Sequence, residues 1–306
     1  MLIHFIHQGD AYLPELQAYA AFIQAAGHQS QLHRELDSVP SDAPVLWWLC
    51  GQVRPVQAMR HPKAFHIHEY ASASVPPMAW LKDQLKCWCQ ATPQYRIFQN
   101  AWVQQRMGFH DAVPCEFRDM GISPSLLEPA PPSAAPEFDF VYLGEMRRLR
   151  HFLPVFEALA NAELSVLLIG QLPDELLAQL ADHDKLTVTG RIPHEQVPVM
   201  LRRARRGLNL VPDQLPYTRQ TSTKLLEYCA AGLPVVSTDY AWVRDFERQH
   251  GARLAYIPFR ATAASYLEYF QRIVQALPEP VPDLQPLAWP ALLAGMPIWR
   301  HLGVQA

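Results

Sequence analysis

From Phe138 to Ile169 the chain reads FDFVYLGEMRRLRHFLPVFEALANAELSVLLI. An apolar run, Phe138–Leu143, stops at Gly144, and a second, Leu164–Ile169, stops at Gly170. The segment between them, near Arg148–Asn161, reads as a helix. Strand, helix and strand in so short a span make a parallel unit, because antiparallel neighbours need no helical crossover. The pattern continues downstream. Helices are predicted near Asp174–Asp182, His194–Arg205, Thr223–Ala231 and Trp242–His250. Strands are predicted at Lys185–Thr189, Gly207–Val211, Pro234–Ser237 and Arg253–Ile257. Upstream, strands are predicted at Leu2–His7, Val45–Cys50, Ala64–His68 and Tyr95–Gln99, with a helix over Leu13–Ala26 closed by Gly27. Such alternation predicts an α/β chain whose parallel sheets are covered on both faces.

Proline is concentrated in PSLLEPAPPSAAPE, Pro124–Glu137. Missing N–H donors and fixed φ angles argue against a helix or a central strand there, so the segment reads as a linker. The predicted organisation is an N-terminal domain over 1–123, a linker over 124–137, a C-terminal domain over 138–282, and a segment over 283–306. That last segment is too apolar for a solvated tail and is expected to pack back on the N-terminal domain.

The 306 residues are 49% hydrophobic and 18% charged, with a formal net charge of −3. A sizeable core follows, and nucleic acid is not an expected partner. No stretch is long and apolar enough to span a bilayer. The start, MLIHFIHQGD, lacks the features of a signal peptide, and the five cysteines are scattered. A cytoplasmic location is expected from both. Trp80, Leu81, Lys82, Leu85, Lys86 and Trp88 fit an amphipathic helix. Its plainer reading is a buried Trp/Leu stripe under exposed lysines; the other is a weak peripheral contact with the inner face of a membrane.

In open parallel sheets ligands bind beyond the carboxyl ends of the strands. No Gly-x-Gly-x-x-Gly fingerprint or P-loop follows any strand, which weakens dehydrogenase and phosphate-transfer readings. The richest loop is PDQLPYTRQTSTKLLEYCAAGLPVVSTD, Pro212–Asp239. Thr221, Ser222 or Thr223 can cap the helix that follows, and a helix start favours an anion. Lys224 in the first turn opposes the dipole unless a phosphate is nearby. Thr223, Lys224 and Glu227 share one face, offering a hydroxyl, an ammonium and a carboxylate suited to a nucleoside diphosphate. The plain alternative is a capped helix with an exposed Lys–Glu pair.

STKLLEYCAAGLPVVSTD resembles the signature of retaining GT-B glycosyltransferases, in which a ligand-facing Glu opens a Glu-x-x-Ala-x-Gly-x-Pro-Val-Val run. FDFVYLGEM, SVLLIGQ and KLTVTGRIPHEQVPVMLRRA resemble that family's preceding segments in order. The resemblance covers about residues 138–258. It implies two Rossmann-like domains of GT-B architecture facing a central cleft, with C-terminal helices crossing back to the N-terminal domain. The implied activity is transfer of a sugar from a nucleotide-sugar, UDP- or GDP-linked, to a hydroxyl of a glycan or lipid-linked acceptor, with retention. No cofactor and no metal are implied. An epimerase of the same fold and a degenerate, non-catalytic nucleotide-sugar-binding protein are the alternatives.

By the same resemblance Glu227 would bind ribose, Gly144 would let donor phosphates approach the backbone, and Gly190 and Arg191 would flank the base. One of Arg147, Arg148 and Arg150 would replace the diphosphate-clamping cations. Thr221, Ser222, Thr223 and Lys224 would meet the phosphates. Arg219 stands eight residues before Glu227, where the family carries a sugar-binding Glu. In the N-terminal domain His66 and His68 share a strand face and Glu69 follows. His68 or Glu69 would face the cleft near the acceptor; the plain reading is a pair of structural strand-end histidines.

Overall fold

The computed structural model describes residues 1–9, 13–49, 53–128, 135–180 and 183–304. Asp10, Cys50, the end of the Asp174–Asp182 helix reading and linker residues 129–134 lie outside them. The chain divides into two compact units, Met1–Gly121 with Leu287–Ala306, and Ile122–Pro286.

The first unit holds β1 (Leu2–Ile6), β2 (Gln29–His33), β3 (Val45–Leu49), β4 (Phe65–Tyr70), β5 (Tyr95–Phe98) and β6 (Cys115–Phe117). They form one parallel sheet in the order β2-β1-β3-β4-β5-β6. All five residues of β3, VLWWL, are buried, as a central strand covered on both faces requires. Two strands have no signal in the sequence. β2 is a polar edge strand and β6 has only three residues, so neither shows apolar periodicity. Residues 287–306 belong to this unit. Trp289, Leu293, Ile298 and Trp299 join the core of β1, β3 and the helix Pro14–Ala25. Trp299 stacks on Phe22 and packs against Trp47. Gly121 is needed beneath them, since a Cβ there would overlap the Trp289 ring. Fully burying such an aromatic contributes about 2–3 kcal/mol before entropy.

The second unit holds β7 (Phe138–Leu143), β8 (Val166–Ile169), β9 (Leu186–Val188), β10 (Ala204–Asn209), β11 (Val235–Thr238) and β12 (Ala255–Ile257). These also pair in parallel, in the order β12-β11-β10-β7-β8-β9. Phe140, Tyr142, Phe156, Leu168, Leu208 and Phe270 lie at the centre of its core. The predicted α/β class, with two parallel sheets and alternating helices, is the observed one.

Three readings are corrected. Pro124–Leu127 is a turn of α-helix with Leu126 buried, where the prolines argue against a helix. Proline at the first helical positions loses no hydrogen bond, because those N–H groups have no partner inside a helix. The helix expected over His194–Arg205 ends at Leu201, and β10 starts at Ala204 rather than Gly207. Two arginines at its start, Arg205 exposed and Arg206 buried, interrupt the apolar run and hide it. The stripe on the helix Ala79–Cys89 is not buried: Trp80 is 60% and Trp88 76% exposed. Asp83 holds that helix instead, paired with Arg106 at 3.4 Å.

Candidate active site

In the second unit the helix Thr223–Ala230 starts just beyond the carboxyl end of β10. Gly207 has no side chain, so the Tyr228 ring lies where a Cβ would be. The Tyr228 hydroxyl accepts from the Leu143 N–H at 2.8 Å and donates to Leu208 O at 3.3 Å. One buried phenol thereby ties the helix to β7 and β10 and sets where its first turn points.

That first turn is not capped by a side chain. Ser222 is the N-cap residue, but its hydroxyl donates to Asn209 Oδ1 at 2.7 Å. Asn209 is fully buried, and its amide donates to Ser237 Oγ and Tyr240 Oη. The N–H groups of Leu225 and Leu226 bond to Ser222 O, as in any helix start. The opening N–H groups face a cavity of about 270 Å³. Gly144, Arg148, Thr221, Ser222, Thr223 and Lys224 line it. Leu143, Glu145, Val211, Tyr217 and Gln220 complete the wall.

Lys224 is 8% exposed. Its Nζ donates to Leu210 O at 3.0 Å and lies 4.9 Å from the centre of the Tyr142 ring. Burial, then the positive field of Arg148, pushes its pKa down to about 7, partly opposed by Glu227. The exposed Lys–Glu pair of the plain sequence reading is therefore absent. Arg148 lies over the Tyr217 ring at 4.5 Å. Among the described residues, neither Lys224 nor Arg148 has a carboxylate within ion-pair distance. Gly144 has φ +127° and open space on its Cβ side, so its backbone is uncovered toward a ligand.

Other expected site residues lie outside this cavity. Arg147 and Arg150 are exposed and do not line it, which leaves Arg148 as the arginine of the three that does. Arg219 is exposed in the 3₁₀ turn Tyr217–Arg219, whose Tyr217 faces the cavity instead. Gly190, φ +72°, bridges Gly170 in antiparallel fashion, and Arg191 beside it is exposed. Glu227 Oε1 lies 3.2 Å from His194 Nε2, with the Glu227 side chain 19% exposed. The hydrogen bond to Glu227 raises the pKa of His194. His194, Tyr217 and Asn209 have no sequence signal, because they act across loops and strands far apart in the chain.

In the first unit Glu69 is corrected. Its carboxylate is buried and bonded to Arg118, to Trp47 Nε1 at 2.7 Å and to Tyr19 Oη at 3.2 Å. Arg118 also reaches Glu15 at 3.3 Å. This is a core ion-pair network with no carboxylate left for an acceptor. His68 is 1% exposed, and burial, then His66 and Arg96, pushes its pKa down to about 3. Its Nδ1 lies 3.3 Å from Tyr70 Oη. His68 is thus buried in the sheet of its unit.

Residues 137–273 match the family model described as Glycosyl transferases group 1. No curated protein sequence matches the chain. Among solved structures, sucrose-phosphate synthase from Thermosynechococcus elongatus superposes with a TM-score of 0.70 at 14% identity, over 99% of either chain. The chain has the GT-B glycosyltransferase fold. Two further GT-B structures agree. AviGT4, a glycosyltransferase involved in avilamycin A biosynthesis, gives a TM-score of 0.63 at 13% identity, covering 98% of this chain and 96% of its own. Anabaena HepE in complex with UDP gives 0.61 at 9% identity, covering 95% and 93%. The family match places the uncapped helix start within the segment shared with group 1 enzymes and supports glycosyl transfer as the class of activity. No described helix is long and apolar enough to cross a membrane.

Proposed function

We propose that the protein transfers a sugar from a nucleotide-sugar to a hydroxyl acceptor, with retention of anomeric configuration. The observation that carries this reading is the uncapped start of the helix Thr223–Ala230. It faces a 270 Å³ cavity beside Lys224 and Arg148, neither of which has a carboxylate within ion-pair distance among the described residues. Such a site suits a compact anion. A diphosphate supplies it, with Gly144 giving close backbone approach. Ribose hydroxyls would meet Glu227, held by His194. That HepE is complexed with UDP supports uridine diphosphate as the leaving group, with guanosine diphosphate as the other candidate.

As the bond between sugar and diphosphate breaks, negative charge grows on the phosphate oxygen. The helix start, Lys224 and Arg148 line the cavity where that charge would develop, and fixed positive groups there stabilise it. The departing phosphate then takes the acceptor proton on the same face of the sugar. This route needs no carboxylate base from the protein, in keeping with Glu69 being committed to Arg118. The positive charge is built in, so a divalent metal is not required, and activity should persist in chelator. The acceptor is a glycan or a lipid-linked sugar in the cytoplasm. Trp80 and Trp88, flanked by Lys82 and Lys86, are the residues that would touch an anionic membrane carrying a lipid-linked acceptor.

The test is a thermal-shift panel of UDP, GDP, ADP and CMP on the protein and on Lys224→Met. One nucleoside diphosphate should raise the melting temperature of the former and not the latter. The matching nucleotide-sugar should then give a product whose anomeric proton coupling equals that of the donor. No response to any nucleotide would refute donor binding, and an inverted product would refute retention.

A further inference from the structure

β10 runs from Ala204 to Asn209, so Arg206 lies toward the edge of the second sheet opposite the nucleotide cavity. It pairs with Phe140 of β7 and is only 9% exposed. Its guanidinium donates to Ala276 O at 3.1 Å. Among the described residues no carboxylate lies within ion-pair distance of it. Asp139, the acidic group whose charge it feels, accepts from Ser165 N and Oγ, both at 2.9 Å, and faces Arg205 at 3.6 Å. A buried guanidinium without a counter-charge is costly unless an anion completes it. Burial, then Arg205, lowers the pKa of Arg206, as expected for a cation held without compensation.

Arg206 forms part of the wall of two adjoining cavities. One, of about 340 Å³, is lined also by Arg253, Arg272, Val235, Leu254 and Ile273. The other, of about 670 Å³, adds Arg202 and Arg205. Five arginines thus gather at one edge of a chain whose net charge is −3. The acidic group on the rim of the first cavity is Glu279, which faces Arg253 at 3.8 Å. Between the charges the walls are mostly aliphatic, with the Tyr269 ring under Arg272, and Leu277 stands 91% exposed on the rim of both. A small inorganic anion would satisfy Arg206 and leave that apolar surface wet.

We propose that this groove binds an aliphatic organic anion, its head on Arg206 and its chain along Val235, Leu254, Ile273 and Leu277. The site is separate from the nucleotide cavity, and nothing in the proposed transfer reaction requires it. Its ligand class follows from the wall: a guanidinium fork suits a carboxylate or phosphate ester, and the aliphatic lining suits a chain of several methylenes.

Isothermal titration of the full chain with decanoate, below its micelle threshold, tests the idea beside decanol and inorganic phosphate. Decanoate should bind saturably at one site, with decanol and phosphate each at least about tenfold weaker because each lacks half of the match. Arg206→Met should weaken decanoate by about tenfold or more and leave the response to nucleotide unchanged. It should also fold with an unchanged or raised melting temperature, since it removes an uncompensated charge. Leu277→Glu, at an exposed position that cannot disturb the core, should weaken decanoate as well. Equal binding of decanol and decanoate, equal binding of phosphate and decanoate, or unaltered decanoate affinity in either variant would each overturn the proposal.

Discussion

The Ser222 hydroxyl donates to Asn209 Oδ1 at 2.7 Å, although Ser222 stands at the N-cap of the helix Thr223–Ala230. An N-cap serine ordinarily accepts from the backbone of its own helix. Here a buried asparagine on β10 takes the hydroxyl, and among the described residues no side chain caps the first turn.

Ser222→Ala should therefore cost stability through Asn209 rather than through a lost cap. Asn209 is fully buried, and its Oδ1 would lose its hydrogen-bond donor. A loss of about 1–3 kcal/mol in urea unfolding is expected. Asn209→Leu in the Ser222→Ala background should recover part of it. No recovery would return the serine to an ordinary capping role.

Lys224, with a pKa near 7 in the empty site, should take up a proton when a diphosphate binds. The anion raises its pKa, so binding above pH 7 consumes protons and weakens as pH rises. Calorimetry at pH 8 in buffers of different ionisation enthalpy reads the uptake directly. Lys224→Met should abolish it. Without nucleotide added, the lysine has a folded pKa below its unfolded one. Its contribution to stability should therefore improve as pH rises from about 7 toward 10.5.

Glu227→Ala should lower nucleotide affinity by about 1.5–3 kcal/mol, as the loss of a charged hydrogen bond to ribose. His194→Ala should cost less, because the histidine only holds the carboxylate. The pKa of His194 is raised by Glu227, so their bond contributes fully below pH 6.5 and is lost as pH rises through the folded value. Nucleotide affinity that is unchanged in a folded Glu227→Ala protein would remove the ribose assignment.

Glu69→Ala should unfold the first unit more easily and leave nucleotide binding alone. It leaves the Arg118 guanidinium buried with Glu15 as its remaining carboxylate. A loss of about 3 kcal/mol is expected, the lower end for breaking a buried pair. Tryptophan fluorescence is the natural probe, since every tryptophan except Trp242 falls in that unit. Intact stability with lost turnover would restore the catalytic reading of this residue.

Acid should weaken the same unit. His68 has a folded pKa of about 3 against 6.5 unfolded, so the unfolded chain binds its proton first. Stability is full above pH 6.5 and falls by about 1.4 kcal/mol per pH unit below it, until about pH 3. Burial shifts His4, His33, His61 and His66 in the same direction. Urea unfolding at pH 7.5 and pH 5 should show the loss, and His68→Gln should reduce it.

The sequence by itself determined the class of fold and where the helix that opens the candidate site begins. Apolar runs that end at Gly144 and Gly170, with helical spacing between them, are local patterns, and each strand of a parallel sheet writes its own burial into its own residues. The run from Ser222 to Asp239 likewise carries its helix start, Lys224 and Glu227 within a few turns. Short or polar edge strands such as β2 and β6 bury too little to leave such a trace. Only the tertiary structure decided what each charge meets. Lys224 bends inward to Tyr142 and Leu210 O because a strand 82 residues earlier and the residue just past β10, 14 residues earlier, close over it. Arg148, not its two neighbours, lines the cavity because the turn after Gly144 aims it there. Glu69 is spent on Arg118, and Arg206 has no carboxylate within ion-pair distance among the described residues, for the same physical reason. Electrostatic pairing is set by through-space distance in a low-dielectric interior, and residues far apart in sequence set that distance together.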